Sequence, residues 1–90
     1  MFLGDIWATN LNKKVLIISN ETLNNSSAKN VICLELDNYI NLPTQIKAGE
    51  YSISVDKISS IEKTSLVTKI DTILDAEIEK IKDLLNFIIF

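Results

Sequence analysis

The stretch GDIWATNLNKKVLIISNETLN, residues 4–24, decides the fold. Residues 6–9 read as a strand leaving a Gly4-Asp5 turn, and 15–19 as a continuous apolar, β-branched run long enough for a buried strand. Asn10, Asn12, Lys13 and Lys14 make a short polar connection, so the two strands are expected to form a hairpin. Residues 21–30, rich in Asn and Ser, read as a surface loop.

Working outward, residues 31–36 form the next predicted strand. Its alternation puts Ile32, Leu34 and Leu36 on one face, with Val31, Cys33 and Glu35 on the other. The pattern breaks at 38–43, and 44–47 reads as a short strand ended by Ala48-Gly49. Residues 51–61 carry Ile53, Val55, Ile58 and Ile61; the alternation slips between Val55 and Ile58, which predicts a bulge near Asp56-Lys57. Residues 66–70 are the last predicted strand. From 75 to 87 the period changes, because Ile78, Ile81, Leu84 or Leu85 and Ile88 fall three and four apart, one face of a helix. Thr72-x-x-Asp75 offers a capping box, and Glu77 and Glu79 precede Lys80 and Lys82 as the macrodipole favours. The tail, residues 84–90, is apolar nearly all round, so Phe87, Ile89 and Phe90 read as oligomer contacts. Strands first and one helix last predict a mainly β fold with one C-terminal α-helix, a small antiparallel barrel or sheet, as one domain over 1–90.

Composition narrows the chemistry. The chain has 90 residues, 47% of them apolar, and fifteen isoleucines, a surplus that suits a dense core or a buried subunit interface. It has no arginine and no histidine. Its nine lysines are interleaved with twelve carboxylates for a net charge of −3, so no basic stripe marks a nucleic-acid face. Cys33 stands alone in an apolar strand with no histidine to activate it, which predicts a core thiol in a reducing cytoplasm. No signal-like positive segment and no membrane-length apolar run occur, so a cytoplasmic protein without a membrane partner is expected.

Gly4-Asp5-Ile6-Trp7, the strand Val15-Leu16-Ile17-Ile18 running into Ser19-Asn20-Glu21-x-x-Asn24, and Ile58-x-x-Ile61-x-Lys63 together resemble the MazF/PemK family of toxin endoribonucleases. Pro43-Thr44-x-Ile46 extends the likeness, which covers essentially the whole chain and is strong only in those three stretches. The resemblance implies a Src-homology-3-like barrel of the CcdB/MazF/PemK type and a symmetric homodimer. It implies metal-independent, cofactor-free cleavage of single-stranded RNA through the neighbouring 2′-hydroxyl, leaving a cyclic phosphate. It also implies inhibition by an antitoxin protein that lays an acidic tail across the RNA groove.

The same resemblance assigns a site. Lys13-Lys14 stands where the family carries Arg-Pro, Asp37 where it carries a catalytic threonine, and Ser59 where it carries a further arginine. Lys13 and Asp37 are therefore the catalytic candidates, with Asn20, Lys57 and Ser59 as RNA contacts. Arginine's planar fork holds two phosphoryl oxygens at once, whereas Lys13 keeps the charge and loses that geometry. An ionised Asp37 repels phosphate and has no proton to donate. The loop of 10–14 is too short to form a lid over the groove. These replacements predict an RNA-cleaving lineage with impaired or lost activity. The alternative is a catalytically silent module that binds an antitoxin or another protein. A gyrase poison of the CcdB kind ranks last, because the chain lacks the Trp-Gly-Ile ending of those toxins. An acidic wall of Glu35, Asp37 and Asp56 along the groove would favour silence; Lys13 and Asp37 facing one point would favour catalysis. Trp7 reads as a core or dimer-interface aromatic rather than a base-stacking platform.

Overall fold

The computed structural model describes residues 2–89. Phe90, the last residue of the apolar tail, lies outside them. The chain runs β1 (Asp5–Thr9), β2 (Lys14–Ile17), α1 (Glu21–Asn24), β3 (Asn30–Leu36), β4 (Gln45–Ala48), β5 (Tyr51–Glu62), a 3-10 turn (Lys63–Ser65), β6 (Leu66–Thr72) and α2 (Asp75–Ile89). The six strands form one antiparallel sheet in the order β4-β5-β3-β2-β1-β6. Every predicted strand is present, and so is the C-terminal helix.

The expected barrel is an open one. Among the described residues the edge strands β4 and β6 do not pair, and the sheet curls instead. Its two ends are tied by side chains: the Tyr51 hydroxyl at the start of β5 donates to Asp71 Oδ2 in β6 at 3.0 Å. Helix α2 then seals the concave side, with Ile81 buried and Ile78, Leu84 and Leu85 packed against the same cluster. That cluster centres on Ile6, Leu16, Leu34, Ile53 and Val55, all fully or almost fully buried.

The alternation of β3 sorts its side chains as the pattern dictates. Leu34 and Leu36 join the helix-covered cluster, while Val31 and Cys33 join a second cluster with Val15, Ile17 and Leu66 on the opposite face. Trp7 and Ile61 pack against that second face, so Trp7 is a half-buried packing residue in this chain. Burial pushes the Cys33 thiol up, and its Sγ contacts the Ser59 carbonyl at 3.7 Å, as suits a structural cysteine.

The GDIW stretch is explained by packing. Gly4 has φ +94, a conformation that strains any residue with a side chain, and a Cβ there would lie 2.7 Å from Ile78 Cδ1, so the Ile78 side chain of the helix would also have to shift. Asp5 is buried and Ile6 fully so. Asp5 Oδ2 accepts from the Phe2 N–H at 2.9 Å, and Oδ1 accepts from the Thr72 hydroxyl at 2.9 Å, with Lys69 Nζ at 3.4 Å.

Two local expectations are corrected. Thr72 does not cap α2, because its hydroxyl is given to Asp5. Glu77 instead reaches back to accept from the Leu74 N–H at 3.0 Å, the acidic half of a capping box without a hydroxyl partner. Residues 21–30 are not loop throughout: Asn20 caps the single turn of α1, accepting from the Leu23 N–H at 3.3 Å. Asn24 turns inward, donating from Nδ2 to the Ser19 carbonyl at 2.8 Å. That buried contact outweighs the polar composition that pointed to solvent.

Candidate functional site

The β1–β2 hairpin presents Lys13. Thr9 is buried, and its Oγ1 accepts from the N–H groups of Leu11 and Lys13, both at 3.3 Å, while its own N–H donates to the Lys13 carbonyl at 2.8 Å. Asn12 takes the left-handed conformation, φ 61, that closes so short a turn. Lys13 is thus fixed at its backbone on the rim of a cleft. Opposite it, β3 ends at Leu36, and the Asp37 N–H donates to the Ser52 carbonyl at 2.9 Å.

Lys13 and Asp37 line the same open cleft, about 560 Å³ in volume, together with Lys14, Glu35, Glu50, Tyr51 and Lys57. The acidic wall is present in part: Glu35 and Asp37 belong to it, Asp56 does not, and Glu50 from the β4–β5 turn takes its place. Lys13, Lys14 and Lys57 balance these three carboxylates, so the charged lining sums to zero. Sequence reading missed Glu50 and Tyr51, which reach the cleft through a two-residue turn with Gly49 at φ +62.

Asp37 is already engaged. Lys57 Nζ donates to Asp37 Oδ2 in a close ion pair. That hydrogen bond, the charge of Lys57 and, to a smaller extent, the charge of Lys13 hold the Asp37 carboxyl below its ordinary range. The same contact raises Lys57. Asp37 therefore stands as a carboxylate at neutral pH, able to accept a proton weakly and unable to supply one.

The remaining candidates lie elsewhere. Ser59 borders a neighbouring groove of about 360 Å³ that shares Lys13 and Glu35 with the cleft. Its hydroxyl is buried, with no hydrogen-bond partner among the described residues. Asn20 caps α1 and is not among the residues lining either groove. Of the five candidates, Lys13, Asp37 and Lys57 come together, Ser59 adjoins them, and Asn20 stands apart. Among the described residues no group of three or more His, Cys, Asp and Glu side chains is arranged to hold a metal ion. No helix there is long and apolar enough to cross a membrane.

Tyr51 gives the cleft a pH signature. Desolvation first, then its hydrogen bond to Asp71, push its pKa up to about 12. The unfolded phenol titrates near ~10, so the folded protein binds this proton more tightly. The resulting stabilisation is fully present below about pH 10 and is lost as pH rises through about 12. Urea unfolding at a series of alkaline pH values should show Tyr51→Phe losing stability less steeply over that window than wild type.

An endoribonuclease from a mycobacterial species superposes with a TM-score of 0.88 at 22% identity, covering 99% of this chain and 90% of its own. An endoribonuclease bound to its cognate antitoxin, also mycobacterial, gives 0.88 at 21% identity, covering 99% and 94%. MazF in the MazE–MazF complex of Deinococcus radiodurans gives 0.88 at 10% identity, covering 99% and 95%. The fold is MazF/PemK-like: an antiparallel six-stranded sheet closed over by a C-terminal helix. No protein-family model and no curated relative matches the sequence.

Proposed function

We propose that this chain is a MazF-like toxin component of RNA-cleaving lineage whose ribonuclease activity is impaired or lost. The observation that carries the reading is the meeting of Lys13 and Asp37 at one cleft of a MazF-like sheet, with Asp37 bound by Lys57. Similar structures described as endoribonucleases, one with its antitoxin, support the lineage and an antitoxin partner. The apolar end of α2, where Phe87 is 85% exposed, supports a homodimer. The reading places the protein in the cytoplasm and makes 1–90 one functional domain.

In the proposed reaction the 2′-oxygen attacks phosphorus and the bond to the 5′-oxygen breaks. Asp37 accepts the 2′-hydroxyl proton, and the Lys13 ammonium supplies one to the departing 5′-oxygen. No metal or cofactor takes part. In the resting cleft Lys57 is held by Asp37, so its charge reaches the phosphoryl oxygens only once that ion pair breaks, and until then Lys13 and Lys14 are left to neutralise them. General acid–base help is typically worth ~10²–10⁴ and a charge-stabilising donor ~10²–10³, so compromise in both removes most of the catalysis. RNA contact falls to Lys57, with Ser59 at the groove's edge and Asn20 outside it.

The test is cleavage of a long unstructured RNA by purified protein in EDTA, with Lys13→Ala and Asp37→Ala beside it. Slow, site-specific cuts ending in cyclic phosphate and abolished by either substitution are expected for the impaired enzyme. No cutting at large protein excess supports the silent binding module, which the charge-balanced lining also favours. Fast cutting, or cutting unaffected by both substitutions, overturns the reading.

A further inference from the structure

Lys57 reaches the cleft through a defect in the sheet. Along the β3–β5 ladder Leu34 pairs with Ile58 but Glu35 pairs with Ser54, so Val55, Asp56 and Lys57 fall in the register shift with no partners in β3. A bulge of this kind bends the strand and re-aims its side chains. Here it delivers an ammonium to the carboxylate that follows β3. The pair is not buried, since Lys57 is 49% and Asp37 44% exposed, and exposed pairs add little to stability. A solvent-accessible pair is also one that an outside anion can enter.

We propose that Asp37 is a built-in competitor for phosphate: its carboxylate occupies, beside Lys57 and near Lys13, the seat that an RNA phosphodiester takes only by displacing it. This rests on the RNA reading of the cleft. Three cations facing three carboxylates leave no surplus charge for a polyanion. Neutralising Asp37 leaves one cation in excess and frees Lys57 to donate to a phosphoryl oxygen. Neutralising Glu35, which makes no ion pair of its own among the described residues, changes the net charge equally without freeing a lysine.

The probe is a fluorescent single-stranded oligonucleotide with 2′-O-methyl riboses, which cannot be cut, followed by anisotropy across a range of salt. Asp37→Asn should bind it about tenfold tighter at low salt, with the slope of log Kd against log salt steeper by ~0.7, one added phosphate contact. Asp37→Asn with Lys57→Met should lose most of that gain, and Glu35→Gln should show a clearly smaller one. Thermal unfolding of each variant confirms that it is folded. If wild type binds and Asp37→Asn does not bind tighter, or Glu35→Gln gains as much, the competition is overturned and the RNA reading stands. If neither wild type nor Asp37→Asn binds at the lowest salt, the RNA reading falls and the competition with it.

Discussion

Arginine at position 13 together with threonine at position 37 should raise site-specific RNA cleavage at least ~10²-fold over wild type. Each substitution removes a named defect. Lys13→Arg restores a planar donor that holds two phosphoryl oxygens in fixed geometry, where an ammonium offers a point charge. Asp37→Thr replaces a carboxylate with a neutral hydroxyl and releases Lys57 into the cleft. Asp37→Thr alone also removes the proposed acceptor of the 2′-hydroxyl proton, so it should cut no faster than wild type. The gain should appear only in the double variant, where the arginine–threonine pair that the family resemblance implies takes over the proton transfers. Initial rates of cyclic-phosphate formation in EDTA measure it, with the single variants in parallel. A double variant that binds RNA tightly and still does not cut would place the lost chemistry elsewhere. Ser59, where the family resemblance expects arginine, and the short 10–13 loop would be the remaining defects, and partner capture would become the better account of the chain.

The residues that encode the sheet are local, and those that assemble the cleft are not. Period-2 alternation separates Leu34 and Leu36 from Val31 and Cys33 because each side chain's face is set by its own position in the strand. The slip after Val55 is visible for the same reason, and it marks the real register break. What that break accomplishes is not visible, because Asp37 and Lys57 are 20 residues apart and meet only once β3 and β5 pair. Glu50 and Tyr51 enter the cleft by the same long-range route. Residues 21–24 mislead because Asn24 is polar yet buried, bonded to Ser19 across a turn that composition does not register. Asn20 is legible locally in another way: its position just before Glu21 makes it a helix cap, a role that residue type favours on its own. Whether the edge strands β4 and β6 meet depends on the curl of the whole sheet, which no single strand encodes, so barrel and open sheet read alike in the sequence.

Asp5→Ala should be among the more damaging single changes outside the apolar core, costing about 2 kcal/mol of folding stability. The carboxylate is 2% exposed and holds three groups from two segments: the Phe2 N–H of the N-terminus, and the Thr72 hydroxyl and Lys69 ammonium of β6. Truncation leaves the Thr72 hydroxyl and the Phe2 amide without their acceptor, part-buried beside a new void. Groups of this kind cost ~1–3 kcal/mol each where water does not reach them, and since Phe2 and Thr72 are themselves exposed, each should lie toward the low end of that range. Lys69 is half exposed and recovers solvation, so its charge adds little to the loss. A domain of this size shifts by roughly 4–8 °C per kcal/mol, so Tm should fall by about 10 °C or more. Asp5→Asn keeps one acceptor oxygen and should lose roughly half as much. Since Asp5 touches neither groove, the RNA affinity of the folded fraction of either variant should match wild type. A Tm within about 2 °C of wild type for Asp5→Ala would overturn this account of the opening motif. A large loss of RNA affinity in a well-folded variant would do so from the other side, by assigning Asp5 to the site instead of the scaffold.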